Sequence, residues 1–137
     1  MFSAEIRVGR LLEVRMASPL PLYEAQALVL AIRKLVKHTR APSLGIIDMR
    51  GVRILDPDVV DFISELMRKD NPFLARNAFL VTDAGALKTL QIERMLKEGG
   101  SIARKAFRVR REVEAWLGEA LDEPEQARLR AFLDEQT

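Results

Sequence analysis

Asp56, Asp58 and Asp61 place three carboxylates within one short segment. Oxygen ligands of this kind suit Mg²⁺ or Ca²⁺, and paired carboxylates can divide general acid and base work. Their spacing argues against both. Asp56 precedes Pro57, which has the fixed φ and missing amide of a first helical residue, so Asp56 is placed to cap and Asp58 to sit in the first turn. Asp61 points to the solvent side, and three oxygens do not converge unless Asp48 reaches the same loop. Thr82, Asp83, Ala84 and Gly85 follow a short apolar run, where the crevices of open α/β sheets form; the plainer reading is a cap and turn. Arg104, Lys105, Arg108, Arg110 and Arg111 are the densest basic run. They read as the solvated face of an edge strand or as a surface for an anionic partner. One Tyr and one Trp supply no aromatic platform among these charges, which argues against nucleic acid.

The absence of Cys removes disulfides and thiolate chemistry, and the lone His38 removes any multi-histidine metal site within one chain. His38 sits with Arg33, Lys34, Lys37 and Arg40 at a helix carboxyl end, where cations oppose the dipole. There is no glycine-rich nucleotide loop, and Ser18, Ser43, Ser64 and Ser101 lack a nucleophile-elbow context. The expectation is a non-enzymatic protein with no cofactor and no metal. Residues 111 to 137 hold eight acids and three arginines, net −5, which leaves +7 on residues 1 to 110 of a chain whose total is +2. No apolar run approaches the ~20 residues of a membrane span, and residues 1 to 10 carry charges where a signal peptide would be apolar, so the expected location is cytoplasmic.

These residues must be positioned by alternating strands and helices. Residues 6 to 16 read as one or two strands with Arg10 near a turn, and 22 to 38 as a helix after Pro19 and Pro21. Leu44, Gly45, Ile46 and Ile47 open a buried strand, and Asp56 starts an amphipathic helix with Val59, Ile63, Leu66 and Met67 inward and Ser64 on the other side. Further strands are expected over 78–82 and 102–109, the latter with Phe107 and Val109 inward and Arg104, Arg108 and Arg110 in solvent. Helices are expected over 86–98, with Leu87, Leu90, Met95 and Leu96 packing, over 111–121, and after Pro124. The fold class is α/β: a single mixed, mainly parallel sheet of about four or five strands with about four or five helices. The first helix carries an apolar arc wider than one sheet face requires. Leu28, Leu30, Ala31 and Ile32 are candidates for an apolar ligand wall or a homodimer face.

The segment IIDMRGVRILDPDVVDFISELM resembles the core of a STAS domain, the sulfate-transporter and anti-sigma-factor-antagonist family. Phe107-Arg108-Val109 before Glu112-Val113-Glu114-Ala115-Trp116-Leu117 is similar to the ends of the small bacterial STAS-like and SEC14-like subgroup. The resemblance implies a STAS-like domain over residues 1 to 121 and a helical extension over 122 to 137, packed on the domain or on a partner. It also implies a regulatory protein as partner, bound through Asp56, Pro57, Asp58, Asp61, Thr82, Asp83 and Gly85. Regulatory members carry a phosphoacceptor serine after the turn aspartate; here that place holds Pro57, so switching at the usual residue is not expected. The SEC14-like side implies the alternative, a carrier or sensor of a lipid or small apolar molecule, with its cavity mouth at the strand carboxyl ends.

Overall fold

Apolar alternation at the start of the chain folds back through a turn at residues 7 to 10, pairing β1 (Phe2–Ile6) antiparallel to β2 (Leu11–Ala17), with Ile6 opposite Leu12. Gly9 in this turn has φ +57°, and a Cβ there would collide with the Glu125 carboxylate, which the Arg10 and Asp122 amides hold in place, so the turn requires glycine on both counts. The computed structural model describes residues 1–37, 39, 42–82 and 86–135. After the hairpin come α1 (Leu22–Val36), β3 (Ser43–Gly51), α2 (Pro57–Asp70), a 3₁₀ turn (Asn71–Phe73), β4 (Leu74–Leu80), α3 (Ala86–Gly99), β5 (Arg104–Phe107), α4 (Arg110–Gly118) and α5 (Glu123–Asp134).

The fold is α/β, with one mixed sheet of five strands in the order β1-β2-β3-β4-β5, parallel from β2 onward, and five helices among the described residues. Right-handed crossovers between strands that advance in one direction put every connecting helix on the same side. Accordingly α1, α2 and α3 cover one face, where Val14, Ile47, Met49, Val59, Phe79 and Met95 are buried. The opposite face would stay wet without the end of the chain: α4 and α5 bring Val113, Leu117, Leu129, Phe132 and Leu133 onto Leu11, Leu44, Ile46 and Leu80. Asp122 and Glu125 close a reciprocal capping box at the start of α5.

Several expectations shift. β4 begins at Leu74 and ends at Leu80, because parallel pairing with β3 recruits Arg76 and Asn77, which no apolar run reveals. β5 is confined to Arg104–Phe107, and Val109 is exposed as the residue that caps α4. Arg104 is not in solvent: strand parity turns it with Ala106 toward the α1–α3 face, and it is 8% exposed. Ser64, expected outward, is buried, and its Oγ has no hydrogen-bond partner among the described residues. Leu90, expected to pack, is 62% exposed. Leu30 is 61% exposed as well.

Candidate functional site

The acidic helix start is fixed from behind. Gln91 of α3 accepts the Leu55 N–H at 3.0 Å and donates to the Leu55 carbonyl at 2.7 Å, pinning the loop that leads into α2. Asp56 occupies the cap position, but its side chain makes no cap hydrogen bond; Oδ1 of Asp58 instead accepts the Val59 N–H at 2.9 Å. Pro57 contributes no amide, and the Asp56 carbonyl already accepts from Val59 and Val60, so the first turn is served without the Asp56 carboxylate. Asp56, Pro57, Asp58 and Asp61 are all exposed. Asp61 edges a shallow groove between α2 and α3 with Val60 and Arg94, flanked by the exposed Ile54 and Leu90. Thr82 is half-buried after β4. Asp83, Gly85 and His38 lie outside the described residues. Asp48 does not join this group, because it faces the other side of the sheet.

The larger feature lies between α1, α2 and the sheet. α1 leans on β1 while α2 packs on α3, and the gap between them over β2, β3 and β4 is a cavity of ≈ 520 Å³. Its floor is Leu12, Val14 and Met16 of β2, Ile47 of β3 and Phe79 of β4; Ala25, Leu28, Val29 and Ile32 form one wall, and Ile63, Leu66 and Met67 the other. Gly45 lies on the same face between Ser43 and Ile47 and has no side chain to fill the space above β3. A Cβ there would sit 3.5 Å from the Asn77 side chain, ordinary contact. Leu28 and Ile32 thus line the cavity, whereas Leu30 and Ala31 do not.

The polar lining is confined to one end, with Arg33, Thr39 and Ser43 on one side and Asp70, Asn77 and Arg104 on the other. These residues lie at the carboxyl ends of α1 and α2 and at or near the amino ends of β3, β4 and β5. Arg33, Pro42 and Pro72 are exposed there, so the cavity opens at the amino ends of the strands. The mouth expected at the strand carboxyl ends is corrected to the amino ends, since the polar and exposed lining residues lie there and the loop that Gln91 holds before α2 is not in the lining. Arg104 donates through Nη2 to the Met67 carbonyl at 3.1 Å and through Nη1 to Oδ1 of Asn71. Burial pushes its guanidinium below the ordinary value, with the Asp70 charge opposing. Arg104 stands in the basic run that the sequence offers to an anionic partner, but its place inside the cavity, like those of Asn77 and Phe79, has no local sequence signal beyond a glycine and an asparagine inside otherwise buried strands, which mark space or a polar demand rather than packing.

Charge on the far face is organised differently. The buried Glu13 accepts from Arg128 through both oxygens, at 2.9 and 2.8 Å. Asp48, also buried, accepts from Arg15 at 2.9 Å and from Arg50 through Nε and Nη2 at 3.0 Å each. Glu135 joins Arg128 and Arg15 at 2.8 and 3.2 Å, and the Arg15 guanidinium lies 3.8 Å over the Phe132 ring. The hydrogen bond from Arg128 holds the Glu135 carboxyl below its usual range, with desolvation opposing it. Every acid here is matched by arginine, which makes the network a clamp between α5 and the sheet.

Among the described residues no cluster of His, Asp and Glu could hold a metal, and no helix is long and apolar enough to cross a membrane. No protein-family model, curated protein or solved structure matches the chain.

Proposed function

We propose that this protein is a non-enzymatic carrier or sensor of a small apolar molecule, held between α1, α2 and the sheet. The observation that carries the reading is the ≈ 520 Å³ cavity with an apolar interior and polar groups at one end only. That volume falls within the ~300–1,000 Å³ of small-molecule sites, and such sites combine an apolar lining with a few orienting polar groups. Leu28 and Ile32 belong to it as wall residues, in keeping with a STAS-like domain of the SEC14-like kind. Native mass spectrometry of protein purified from its host tests this directly. The expected result is a one-to-one adduct with a lipid or isoprenoid, and stripped protein should bind alkyl probes about fourfold more tightly per added methylene until the cavity is filled. Absence of any adduct, together with an affinity that ignores chain length, refutes it.

A second reading is favoured by the exposed Ile54 and Leu90 beside Asp61: a regulatory protein docks on the acidic start of α2, through Asp56, Pro57, Asp58 and Asp61 with Thr82. Pro57 would make this surface constitutive rather than phosphorylation-controlled. Asp58→Lys should abolish capture of that partner while lowering the melting temperature by only a few degrees, the cost of the lost Val59 N–H acceptor and of a cation at a helix start, and retained capture would refute the surface.

A further inference from the structure

Resting on the carrier reading, we infer that the ligand is a single-chain amphiphile with a singly negative head, a long-chain carboxylate, seated tail inward with its head between Arg33 and Arg104. Shape is the first argument. The α1 wall runs from Ala25 to Val36, eleven residue steps or about 16 Å of helix. The apolar residues extend inward from a single polar end, so a molecule in this slot has one polar terminus and a tail.

Charge supplies the second. Arg104 is 8% exposed, and no carboxylate among the described residues lies within ion-pair distance of it. Its hydrogen bonds go to a neutral carboxamide and a backbone carbonyl, which leaves donors of a five-donor guanidinium free. Asp70 acts on Arg104 through its charge without forming an ion pair, and a head at this position would supply a direct counter-ion. Arg33 lines the same end with no ion-pair partner among the described residues, and among them Asp70 is the only carboxylate in the lining. Among the described residues of the lining, two cations against one anion leave a single positive charge to match. The carboxyl ends of α1 and α2 add partial negative charge, which disfavours a doubly charged head such as an alkyl phosphate.

The test uses the stripped 137-residue protein and three probes of nearly equal chain length: palmitate, hexadecan-1-ol and hexadecyltrimethylammonium. Palmitate should bind one to one and at least about tenfold more tightly than either of the others. Arg33→Glu, on an exposed residue, should weaken palmitate about tenfold and strengthen the ammonium probe. Arg104→Gln should weaken palmitate at least about tenfold and hexadecan-1-ol by much less, because only the carboxylate loses a charge-assisted bond; a general folding defect would weaken both alike. Equal affinity for all three heads, untouched by Arg33→Glu, overturns the head assignment and leaves the carrier reading standing. Failure of every probe to bind overturns both.

Discussion

Ala25→Leu separates a real cavity from a well-packed core. Ala25 is buried on α1 and lines the deep part of the cavity. Leucine adds three carbons, and about 0.8 kcal/mol per buried methylene gives about 2.4 kcal/mol of added burial. Fixing the longer side chain costs about 0.5–1 kcal/mol, which leaves a net gain of about 1.5 kcal/mol. At about 2.1 cal/mol/K per residue, unfolding of a 137-residue chain carries about 0.3 kcal/mol/K, so the melting temperature should rise by about 5 °C. Calorimetry on stripped protein at matched concentration reads this, since bound ligand would stabilise the parent and mask the gain. The same variant should bind palmitate more weakly, because the added side chain takes tail space. In a fully packed core the extra carbons force strain of about 1–3 kcal/mol, so a fall of roughly 3–10 °C refutes the open cavity.

Arg128→Met strands the buried Glu13, and urea denaturation should report a loss of about 3 kcal/mol or more, whereas Glu13→Leu combined with Arg128→Met should recover most of it. Gly9→Ala should cost at least about 1–2 kcal/mol, because the left-handed φ and the Glu125 carboxylate both exclude a Cβ; an unchanged denaturation midpoint would contradict the turn geometry. Glu135 has a depressed folded-state value, so its contribution is present above the ordinary carboxylate range and is lost as pH falls through the depressed value. The parent should therefore lose its advantage over Glu135→Gln between about pH 5 and pH 3, and two parallel pH–stability curves would remove Glu135 from the clamp.

The order of elements was readable because each transition has local chemistry: Pro21 and Pro57 at helix starts, Gly99 and Gly100 at a stop, alternation in β2. Gly100 indeed adopts φ +77° at the end of α3. Local chemistry does not say which face of a strand is used. Arg104 and Phe107 sit on opposite faces of β5, yet a strand seen as one solvated side and one buried side assigns the arginine to water. The pairing of Glu13 with Arg128 spans most of the chain, and no local pattern announces such a pair. The wide apolar arc of α1 was visible, but its division into the cavity residues Leu28 and Ile32 and the exposed Leu30 depends on how α1 tilts toward β1, a tertiary property.

The two faces of the sheet also explain each other. A sealed apolar void of ≈ 520 Å³ would cost on the order of 10 kcal/mol at about 24 cal/mol per Å³, as much as the whole stability of a domain this size. The fold avoids that cost by leaving the cavity open where Arg33, Pro42 and Pro72 are exposed, so that solvent or a ligand occupies it. It tolerates weak contact between α1 and α2 because each helix is anchored elsewhere, α1 on β1 and α2 on α3 through the Gln91–Leu55 bonds. On the opposite face α4 and α5 pack their apolar residues directly onto the sheet, and arginines hold Glu13 and Asp48. A ligand that inserts its tail between α1 and α2 would then join two helices that now lean apart. Binding should therefore raise the melting temperature with ligand concentration and protect the amides of both helices from exchange. Protection confined to one of the two helices would place the ligand elsewhere.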